Sequence, residues 1–424
     1  MKRRQFIKAL GVGTALGSAT ICASGTNAAR PKVVVVGAGY GGATAARYLS
    51  LWSRGGIDVT LVEPNAVFIS CPLSNLVLGG SRRLEDLTVG YERLSSRNGV
   101  IMVRELATGI NADKRLLMLA NGKNLPYDRL VLSPGVDFQY DRLPGMRQPS
   151  ARERVLHAWK AGEQTSALRK QLEAMPDGGN FVMSIPQAPY RCPPGPYERA
   201  CQVALYFKQF KPKSRVILLD GNEDVVSKGT LFKKVWAERY PGLVDYRPSF
   251  NTVDVDARSG TVVSEMGEEV QGAVVNLIPP QTAGAIAASA GLANVNRRWC
   301  EVDFLTFEST QASHIHLLGD AIQVAPLMPK SAHMANQHAK VCAAAIIELF
   351  ANRAPPSRPV LTNTCYSFVS ERDVIHVTSV HSYDSQRKTL LPVPGSGGVS
   401  AAPGELEGQY ALDWARNIWA DTLL

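Results

Sequence analysis

Cys192 and Glu198 are the residues of this sequence whose types and spacing most directly suggest chemistry. Both stand in the stretch YRCPPGPYER, Tyr190 to Arg199, between an apolar, strand-like run and a helix-like segment. A cysteine just before a helix lies near the positive end of the helix dipole, which lowers the thiol pKa and favours the nucleophilic thiolate. Glu198 is then placed to relay a proton. The alternatives are a structural disulfide for Cys192 and, for Glu198, an acid that merely favours a helix N-terminus.

The cysteines and histidines carry no signature of a metal or haem site. No two cysteines have C-x-x-C spacing, no cysteine is followed by a histidine, and the histidines are not spaced as ligands. We therefore expect no metal. Of the 7 cysteines, Cys22 lies in the N-terminal segment. Three others are interpreted as packing residues: Cys201, Cys300 and Cys342.

A glycine-rich turn near the N-terminus predicts dinucleotide binding. A strand of four valines leads into the sequence GAGYGG, which contains Gly37, Gly39 and Gly42, and a small-residue helix follows. The first glycine permits the tight turn, the second lets a pyrophosphate approach the backbone, and the third lets the helix pack on the strand. Glu63, at the end of the next strand, is placed to accept hydrogen bonds from a ribose hydroxyl.

Two later segments favour FAD over NAD as this dinucleotide. SHIHLLGDA is an apolar strand that ends in Gly319 and Asp320, and an alanine-rich helix follows. It resembles the second flavin motif of glutathione-reductase-like flavoproteins, in which the aspartate holds the ribityl chain of FAD. YDRLVLSPGVDF, Tyr127 to Phe138, resembles the middle motif of the same group.

The middle of the chain has the pattern of a second unit of this kind, without the glycines. GGNFVMSIPQ, PYERACQVALYFKQF and SRVILLDGNE predict a strand, a helix and a strand. Between the first two, Pro193, Pro194 and Pro196 cannot donate backbone hydrogen bonds to a pyrophosphate. The sequence therefore predicts a unit that has lost nicotinamide binding, with Cys192 in the vacated place, so that electrons arrive from another donor.

These patterns predict an α/β fold. The expected architecture is a glutathione-reductase-like two-dinucleotide-binding-domain flavoprotein: two Rossmann-type units, the second inserted in the first, and an α+β C-terminal domain. We expect an FAD-binding domain at 30–150 and 301–355 and a degenerate NAD-binding-like domain at 151–300. A C-terminal domain at 356–424 is expected to cover the flavin and to carry an interface. In the last helix, Tyr410, Trp414 and Trp419 face either a partner or, as the safer interpretation, the core.

Four motifs carry a closer resemblance. YRCPPGPYERA, CPLSNLVLGG, GDAIQVAPLMPKSAHMANQHAKV and TNTCYSFVS resemble the flavoprotein subunit of flavocytochrome c sulfide dehydrogenase, and the resemblance covers essentially the whole chain after the N-terminal segment. It implies that Cys71 is joined covalently to the flavin 8α-methyl group, and that Cys192 and Cys365 form a redox-active disulfide beside the flavin. From the residues alone, the alternative for Cys71 is a small buried hydrophobic residue.

The resemblance also implies a substrate and a partner. Hydrosulfide is a nucleophile able to attack a disulfide, and a flavin can take two electrons and release them singly, which suits a haem acceptor. Because this chain has no haem-attachment motif, the haem is expected on a c-type cytochrome subunit that forms a heterodimer with it. Lys330 is either placed to put a positive charge near the flavin or is a surface lysine.

The first 29 residues predict a cleaved export signal. They combine a basic start, an apolar run too short to span a bilayer, and small residues near Ala28. Arg3 and Arg4 belong to a segment that resembles the twin-arginine signal. We expect a periplasmic product without a transmembrane segment; the alternative is an anchor helix. Cleavage lowers the formal charge from +9 to about +5, and no Lys/Arg block remains to suggest nucleic acid.

Three other functions stay open. A sulfide:quinone oxidoreductase would have a basic amphipathic C-terminal helix, whereas here Asp413 and Asp421 stand against Arg416. An NADH-dependent reductase is disfavoured by the proline-filled turn and by the export signal. A non-catalytic flavoprotein, with FAD as a scaffold, would contain a flavin that sulfide does not reduce.

Overall fold

Two parallel β-sheets organise the chain in a computed structural model, which describes residues 29–424. Residues 31–424 form one compact unit. The predicted export signal, with Cys22, lies outside the described residues except for its last position.

The strands of the described residues are numbered in chain order. They are β1 (Lys32–Val36), β2 (Asp58–Val62), β3 (Val67–Ile69), β4 (Thr88–Gly90), β5 (Ile101–Val103), β6 (Ala107–Asn111), β7 (Leu116–Leu119), β8 (Asn124–Pro126), β9 (Arg129–Leu132), β10 (Val136–Phe138), β11 (Asn180–Ile185), β12 (Arg215–Asp220), β13 (Val244–Arg247), β14 (Thr252–Asp256), β15 (Thr261–Ser264), β16 (Glu269–Gln271), β17 (Val274–Leu277), β18 (Gln281–Ala283), β19 (Ile315–Leu317), β20 (Val360–Phe368), β21 (Val374–Asp384), β22 (Thr389–Pro392) and β23 (Gly398–Val399).

The α-helices of the same residues are numbered likewise. They are α1 (Tyr40–Ser53), α2 (Asn75–Gly79), α3 (Glu92–Asn98), α4 (Pro149–Arg154), α5 (Glu163–Ala174), α6 (Gly195–Phe210), α7 (Gly229–Arg239), α8 (Ala285–Ser289), α9 (Ala332–Phe350) and α10 (Glu405–Leu423).

The first sheet has the order β19-β9-β1-β2-β5, with every pair parallel. Val33 lies opposite Val59 on one side and Arg129 on the other. The four valines of β1 are buried, as suits the central strand of a sheet covered on both faces. Helices α1 and α9 pack against each other beside it. We call this sheet with α1 and α9 the first Rossmann unit.

The second sheet has the order β13-β12-β11-β17, again with every pair parallel. Helices α5, α6 and α7 complete what we call the second Rossmann unit, and a buried cluster that includes Phe181, Phe207 and Phe232 forms its core. β19 follows this unit in the chain but pairs with β9 of the first unit. The predicted fold, with the second unit inserted in the first, is therefore confirmed.

The C-terminal segment forms an antiparallel sheet of β20, β21, β22 and β23, with α10 beside it, as the α+β prediction requires. Leu361 and Leu390 belong to the core of the first unit, whereas Val369 and Ile375 belong to that of the second. This sheet therefore joins the two units. Because residues 31–424 form one compact unit, the predicted boundaries at 150, 300 and 355 stay predictions.

Candidate functional site

The glycine turn of the first unit has the form that its sequence predicts. Gly37 follows β1 with φ of +88°, a conformation that favours glycine. A Cβ at Gly42 would lie 1.8 Å from the carbonyl oxygen of Gly37, so only glycine lets α1 pack this closely on the turn. A Cβ at Gly39 would meet no protein atom within 4 Å. Gly39 thus borders open space at the N-terminus of α1, where a pyrophosphate would approach.

Glu63 lies directly after β2, as predicted, and is buried beside this turn. Its carboxylate accepts a hydrogen bond from the Ala38 N–H at 2.8 Å and others from the backbone and side chain of Asn65. The carboxylate therefore braces the glycine turn. Further lone pairs of its two oxygens remain for a ribose hydroxyl, in agreement with the predicted role.

Asp320 gives the test of whether these residues fit a flavin. Gly319 turns the chain after β19 with φ of +69°, and Asp320 follows it. The Oδ1 oxygen of Asp320 is buried and has no hydrogen-bond partner within the described residues. Burial raises the pKa of this carboxyl, while Arg191 and Lys330 oppose the rise. A buried acceptor without a donor fits the ribityl hydroxyls of FAD, so the residues present suit the cofactor.

Cys71 follows β3 and is half-buried. Its Sγ accepts a hydrogen bond from the Nη2 of Arg191 at 2.9 Å and a weaker contact from the Ala161 N–H at 3.5 Å. Arg191 also donates to the carbonyl of Trp159. The sequence analysis missed Arg191; its position directly before Cys192 was the signal that could have indicated it.

Cys192 lies three residues before α6, in the turn where the second unit would hold a dinucleotide. Its φ is +57°, and its N–H donates to the carbonyl of Lys330 at 2.9 Å. The side chain is exposed at the mouth of the site, but the protein packed around the sulfur, followed by the charges of Cys365 and Glu198, raises its pKa to about 12. The expected lowering of this pKa was wrong, because desolvation and neighbouring anions outweigh the helix dipole.

Glu198 lies in the first turn of α6, as predicted, and is buried rather than a solvated surface acid. Its two oxygens accept hydrogen bonds from the Nδ2 of Asn75 at 2.7 Å and from the Phe368 N–H at 2.8 Å. Burial raises the pKa of this carboxyl, and these hydrogen bonds oppose the rise. Because Phe368 ends β20, Glu198 brings the C-terminal sheet to the start of α6.

Cys365 lies on β20, near enough to Cys192 that its charge contributes to raising the pKa of Cys192. Burial raises the pKa of Cys365, and the nearby Lys228 is the largest influence that lowers it. Lys228 is buried and donates to the Cys365 carbonyl at 3.1 Å and to the Ser367 hydroxyl at 2.7 Å. Nothing in the sequence around Lys228 indicated this role, since Lys228 lies 137 positions from Cys365.

These residues form one cluster from both units and the C-terminal sheet. We call it the cysteine site: Cys71, Arg191, Cys192, Glu198, Lys228 and Cys365. Every cysteine of the described residues is a free thiol, so the disulfide between Cys192 and Cys365 stays a prediction. Cys201, Cys300 and Cys342 are buried, in agreement with their interpretation as packing residues.

Lys330 is not a surface lysine. It is 5% exposed, its Nζ donates to the carbonyl of Asp320, and the ammonium lies 3.7 Å from the ring centre of Trp299. Burial lowers its pKa to about 7. Lys330 therefore lies beside the Gly-Asp turn, and its predicted role of placing a positive charge near the flavin stays a prediction.

The turn of the second unit is closed by its own side chains. Asp220, at the end of β12, occupies the position that corresponds to Glu63 in the first unit. Its carboxylate accepts hydrogen bonds from the hydroxyls of Tyr197 at 2.7 Å and Tyr246 at 3.1 Å, and from Asn222. Tyr197 is fully buried. The second unit therefore combines a proline-filled turn with an acid, Asp220, whose oxygens already accept hydrogen bonds from the protein.

The aromatic residues of α10 do not behave alike. Trp414 and Trp419 pack against the first core, and the Nε1 of Trp419 donates to the Tyr40 hydroxyl at 3.0 Å. Tyr410 is 51% exposed.

Among the described helices, none has the length and apolar character that crossing a bilayer requires.

The fold and the site together define a class. Two Rossmann units, one inserted in the other, a glycine turn with Glu63, and an Asp320 whose buried Oδ1 suits a ribityl chain are typical of the FAD-dependent oxidoreductases. Residues 31–177 match the pyridine nucleotide-disulphide oxidoreductase family. Among solved structures, the sulfide:quinone oxidoreductase of Aquifex aeolicus is similar with a TM-score of 0.73 and 19% identity, covering 92% of this chain and 91% of that one.

A second solved structure, the covalent complex of putidaredoxin reductase with putidaredoxin, is similar with a TM-score of 0.65 and 19% identity over 91% of this chain and 93% of that one. These likenesses show the fold. The sequence matches are narrower. Residues 165–279 match the central part, and residues 357–423 the flavin-binding part, of the flavocytochrome c sulfide dehydrogenase flavoprotein.

A curated relative gives the same result. The sulfide dehydrogenase (flavocytochrome c) flavoprotein chain of Chlorobaculum thiosulfatiphilum is 54% identical over 46 residues, which make up 11% of this chain and 94% of that relative. This chain belongs to the family of flavocytochrome c sulfide dehydrogenase flavoproteins.

Proposed function

We propose that this protein oxidises hydrosulfide through a disulfide between Cys192 and Cys365 and passes the electrons, through FAD, to a c-type cytochrome subunit. The observation that carries the proposal is the cysteine site. Cys192 and Cys365 come from different parts of the chain, and the charge of Glu198 influences both. Cys192 also donates its N–H to the carbonyl of Lys330, whose side chain donates to the carbonyl of Asp320. When bound, FAD supplies a carrier that accepts two electrons and releases them singly.

The chain's own residues account for the thiol chemistry. Hydrosulfide forms a bond to one cysteine sulfur, the bond between the cysteines breaks, and the other sulfur leaves as a thiolate. One negative charge enters with hydrosulfide and one remains on the cysteine pair. Lys228 faces that charge, and Glu198, whose pKa burial raises, is placed to accept the proton of the persulfide.

Three further parts of the proposal concern the cofactor, partner and location. We propose that Cys71 is linked to the 8α-methyl group of FAD, that the haem is on the cytochrome partner, and that the N-terminal signal directs the chain to the periplasm. The relatives named as flavocytochrome c chains support the partner. In α10 the guanidinium of Arg416 pairs with Asp413, so this helix lacks the free basic face that a membrane-bound quinone reductase would use.

The test is anaerobic flavin absorbance after adding micromolar sulfide and, separately, NADH. We expect sulfide to bleach the flavin, and the Cys192→Ser variant to slow this by about 10³-fold or more, as loss of a nucleophile does in covalent catalysis. We expect no bleaching by NADH, because Pro193, Pro194 and the engaged Asp220 leave no phosphate site. Cys201→Ser is the matched control, since that buried cysteine lies outside the cysteine site.

Two results would contradict the proposal. Sulfide bleaching that survives in Cys192→Ser would remove the disulfide mechanism. Bleaching by NADH at the wild-type sulfide rate would mean that the second unit still binds a nicotinamide. Reoxidation of the sulfide-reduced protein by a c-type cytochrome, compared with a short-chain quinone, then decides the electron acceptor.

A further inference from the structure

The contact between Arg191 and Cys71 joins the two Rossmann units at a reactive atom. Cys71 follows β3 in the part of the chain that belongs to the first unit, whereas Arg191 lies in the turn of the second. The Nη2 of Arg191 is 2.9 Å from the Sγ of Cys71, and the Ala161 N–H reaches the same sulfur at 3.5 Å. Two donors from the second unit therefore fix one sulfur of the first.

Arg191 is itself held in place. Its side chain donates to the carbonyl of Trp159, and its backbone N–H donates to the Oε1 of Gln281 at 2.8 Å. In the described part of the chain it forms no salt bridge with a carboxylate; Asp320 and Cys192 are among the groups whose charge it feels. The positive charge of the guanidinium is thus presented to the sulfur instead of being paired with an acid.

We propose that Arg191 is the positioning residue for attachment of the flavin to Cys71, an inference that rests on the linkage given under Proposed function. A sulfur acts as a nucleophile in its anionic form, which a neighbouring cation stabilises. A guanidinium offers a positive charge and a directional N–H donor, so Arg191 holds the sulfur in one orientation. This role is separate from sulfide oxidation, because it completes before the first turnover.

Attachment of the flavin to Cys71 forms one bond and releases two hydrogens. One bond forms between the Sγ of Cys71 and the 8α-methyl carbon; the thiol and the methyl group each give up one hydrogen. The two hydrogens, with their two electrons, remain on the flavin ring system, and dioxygen removes them as hydrogen peroxide. Dioxygen is therefore the oxidant in the experiment.

The experiment is a time course of covalent attachment in the full chain, purified without flavin and mixed with excess FAD in air. The covalent fraction is the flavin that stays with the protein after acid precipitation, and the mass of the Cys71 peptide identifies the attachment point. We expect Arg191→Gln to slow attachment by about 10- to 100-fold, the scale on which misplacing a reacting group acts. We expect Arg191→Lys, which keeps the charge, to recover part of the rate.

Two measurements separate this role from a structural one. Total bound FAD, measured before acid precipitation, and the thermal unfolding midpoint should match wild type in Arg191→Gln, and Cys71→Ser sets the zero of covalent attachment. If the glutamine variant does not fold, the lysine variant carries the test. Wild-type attachment rates in both variants would overturn the role of Arg191 and leave the linkage intact. Absence of covalent flavin in the wild type would overturn the linkage and this inference with it.

Discussion

The two Rossmann units of this protein share a backbone plan and differ in the turn after the first strand. In the first unit, Gly37, Gly39 and Gly42 leave backbone N–H groups and open space at the start of α1. In the second, Pro193 and Pro194 remove the donors, and Cys192 brings a sulfur to the same place. The acid that follows the next strand differs as well. Glu63 keeps lone pairs for a ligand, whereas Asp220 is engaged by two tyrosine hydroxyls and Asn222.

In both units the parallel sheet determines where a site can lie, and the residues of the turn determine which chemical groups the site contains. Both turns lie at the carboxyl ends of parallel strands, where such sheets place ligands. One unit has kept the groups that bind phosphate. The other has turned the same position into a thiol site, to which Lys228 and Arg191 add positive charge.

The largest effect should come from the glycines of the first unit. We expect Gly39→Ala and Gly42→Ala each to lower the flavin-to-protein ratio at least about tenfold. A Cβ at Gly39 blocks approach of the pyrophosphate to the backbone, whereas a Cβ at Gly42 pushes α1 away from the turn that binds it. The two should differ in stability. Only Gly42→Ala forces a Cβ against the Gly37 carbonyl, at 1.8 Å, so only that variant should unfold at a lower temperature. Normal flavin content in Gly39→Ala would refute the phosphate role of this turn.

The second effect concerns the positive charge of Lys228 near Cys365. In the reduced protein we expect Lys228→Gln to slow alkylation of Cys365 near pH 7 by about tenfold, because removing a nearby positive charge raises the pKa of this thiol further. Since burial lowers the pKa of Lys228 to about 8, the gap between variant and wild type should narrow above pH 8. The measurement is the rate of alkylation of the Cys365 peptide against pH.

Lys228→Arg is the matched control, because it keeps the charge at all these pH values. A purely structural role of Lys228 would change the rate by the same factor at every pH. A gap that does not depend on pH would therefore contradict the electrostatic interpretation.

A third test replaces each of the two acids, Asp220 and Glu63, by its amide. Asp220→Asn should lower the free energy of unfolding by about 2 kcal/mol, because the hydroxyls of the buried Tyr197 and the half-buried Tyr246 lose a carboxylate acceptor. Glu63→Gln should instead lower flavin affinity, with a smaller change in stability of the flavin-free protein. Urea unfolding of both variants without flavin, together with FAD titration, checks the pair. Equal stability losses would show that both acids are structural.

The smallest effect per pH unit concerns a feature that the two units have in common, a buried neutral histidine. Burial lowers the pKa of His338 in the first unit and of His157 in the second to about 3. Below pH 6.5 each of these histidines is protonated in the unfolded chain but stays neutral in the folded chain, so the free energy of unfolding falls as the pH falls. His338→Phe should remove about 1.4 kcal/mol of this loss per pH unit between pH 6.5 and 4. Parallel stability curves for variant and wild type would contradict this.

The amino-acid sequence was enough to predict the first binding turn and the elements around it. Four consecutive valines, the glycine spacing and Glu63 are local patterns, and their conformational preferences arise from residues that are near one another in the chain. The prolines after β11 likewise predicted a turn without phosphate donors, and the apolar strand before Gly319 and Asp320 predicted where the chain returns to the first sheet.

Only the tertiary structure decided what surrounds the sulfurs. Cys192 precedes a helix, which predicted a lowered thiol pKa; folding packs protein, Cys365 and Glu198 around it, and the pKa rises to about 12. The sequence left open whether Lys330 is a surface lysine, and the fold buries it. Arg191 meets Cys71 120 positions away, and Lys228 meets Cys365 137 positions away. Burial and charge depend on neighbours that are distant in the chain, and no local pattern records them.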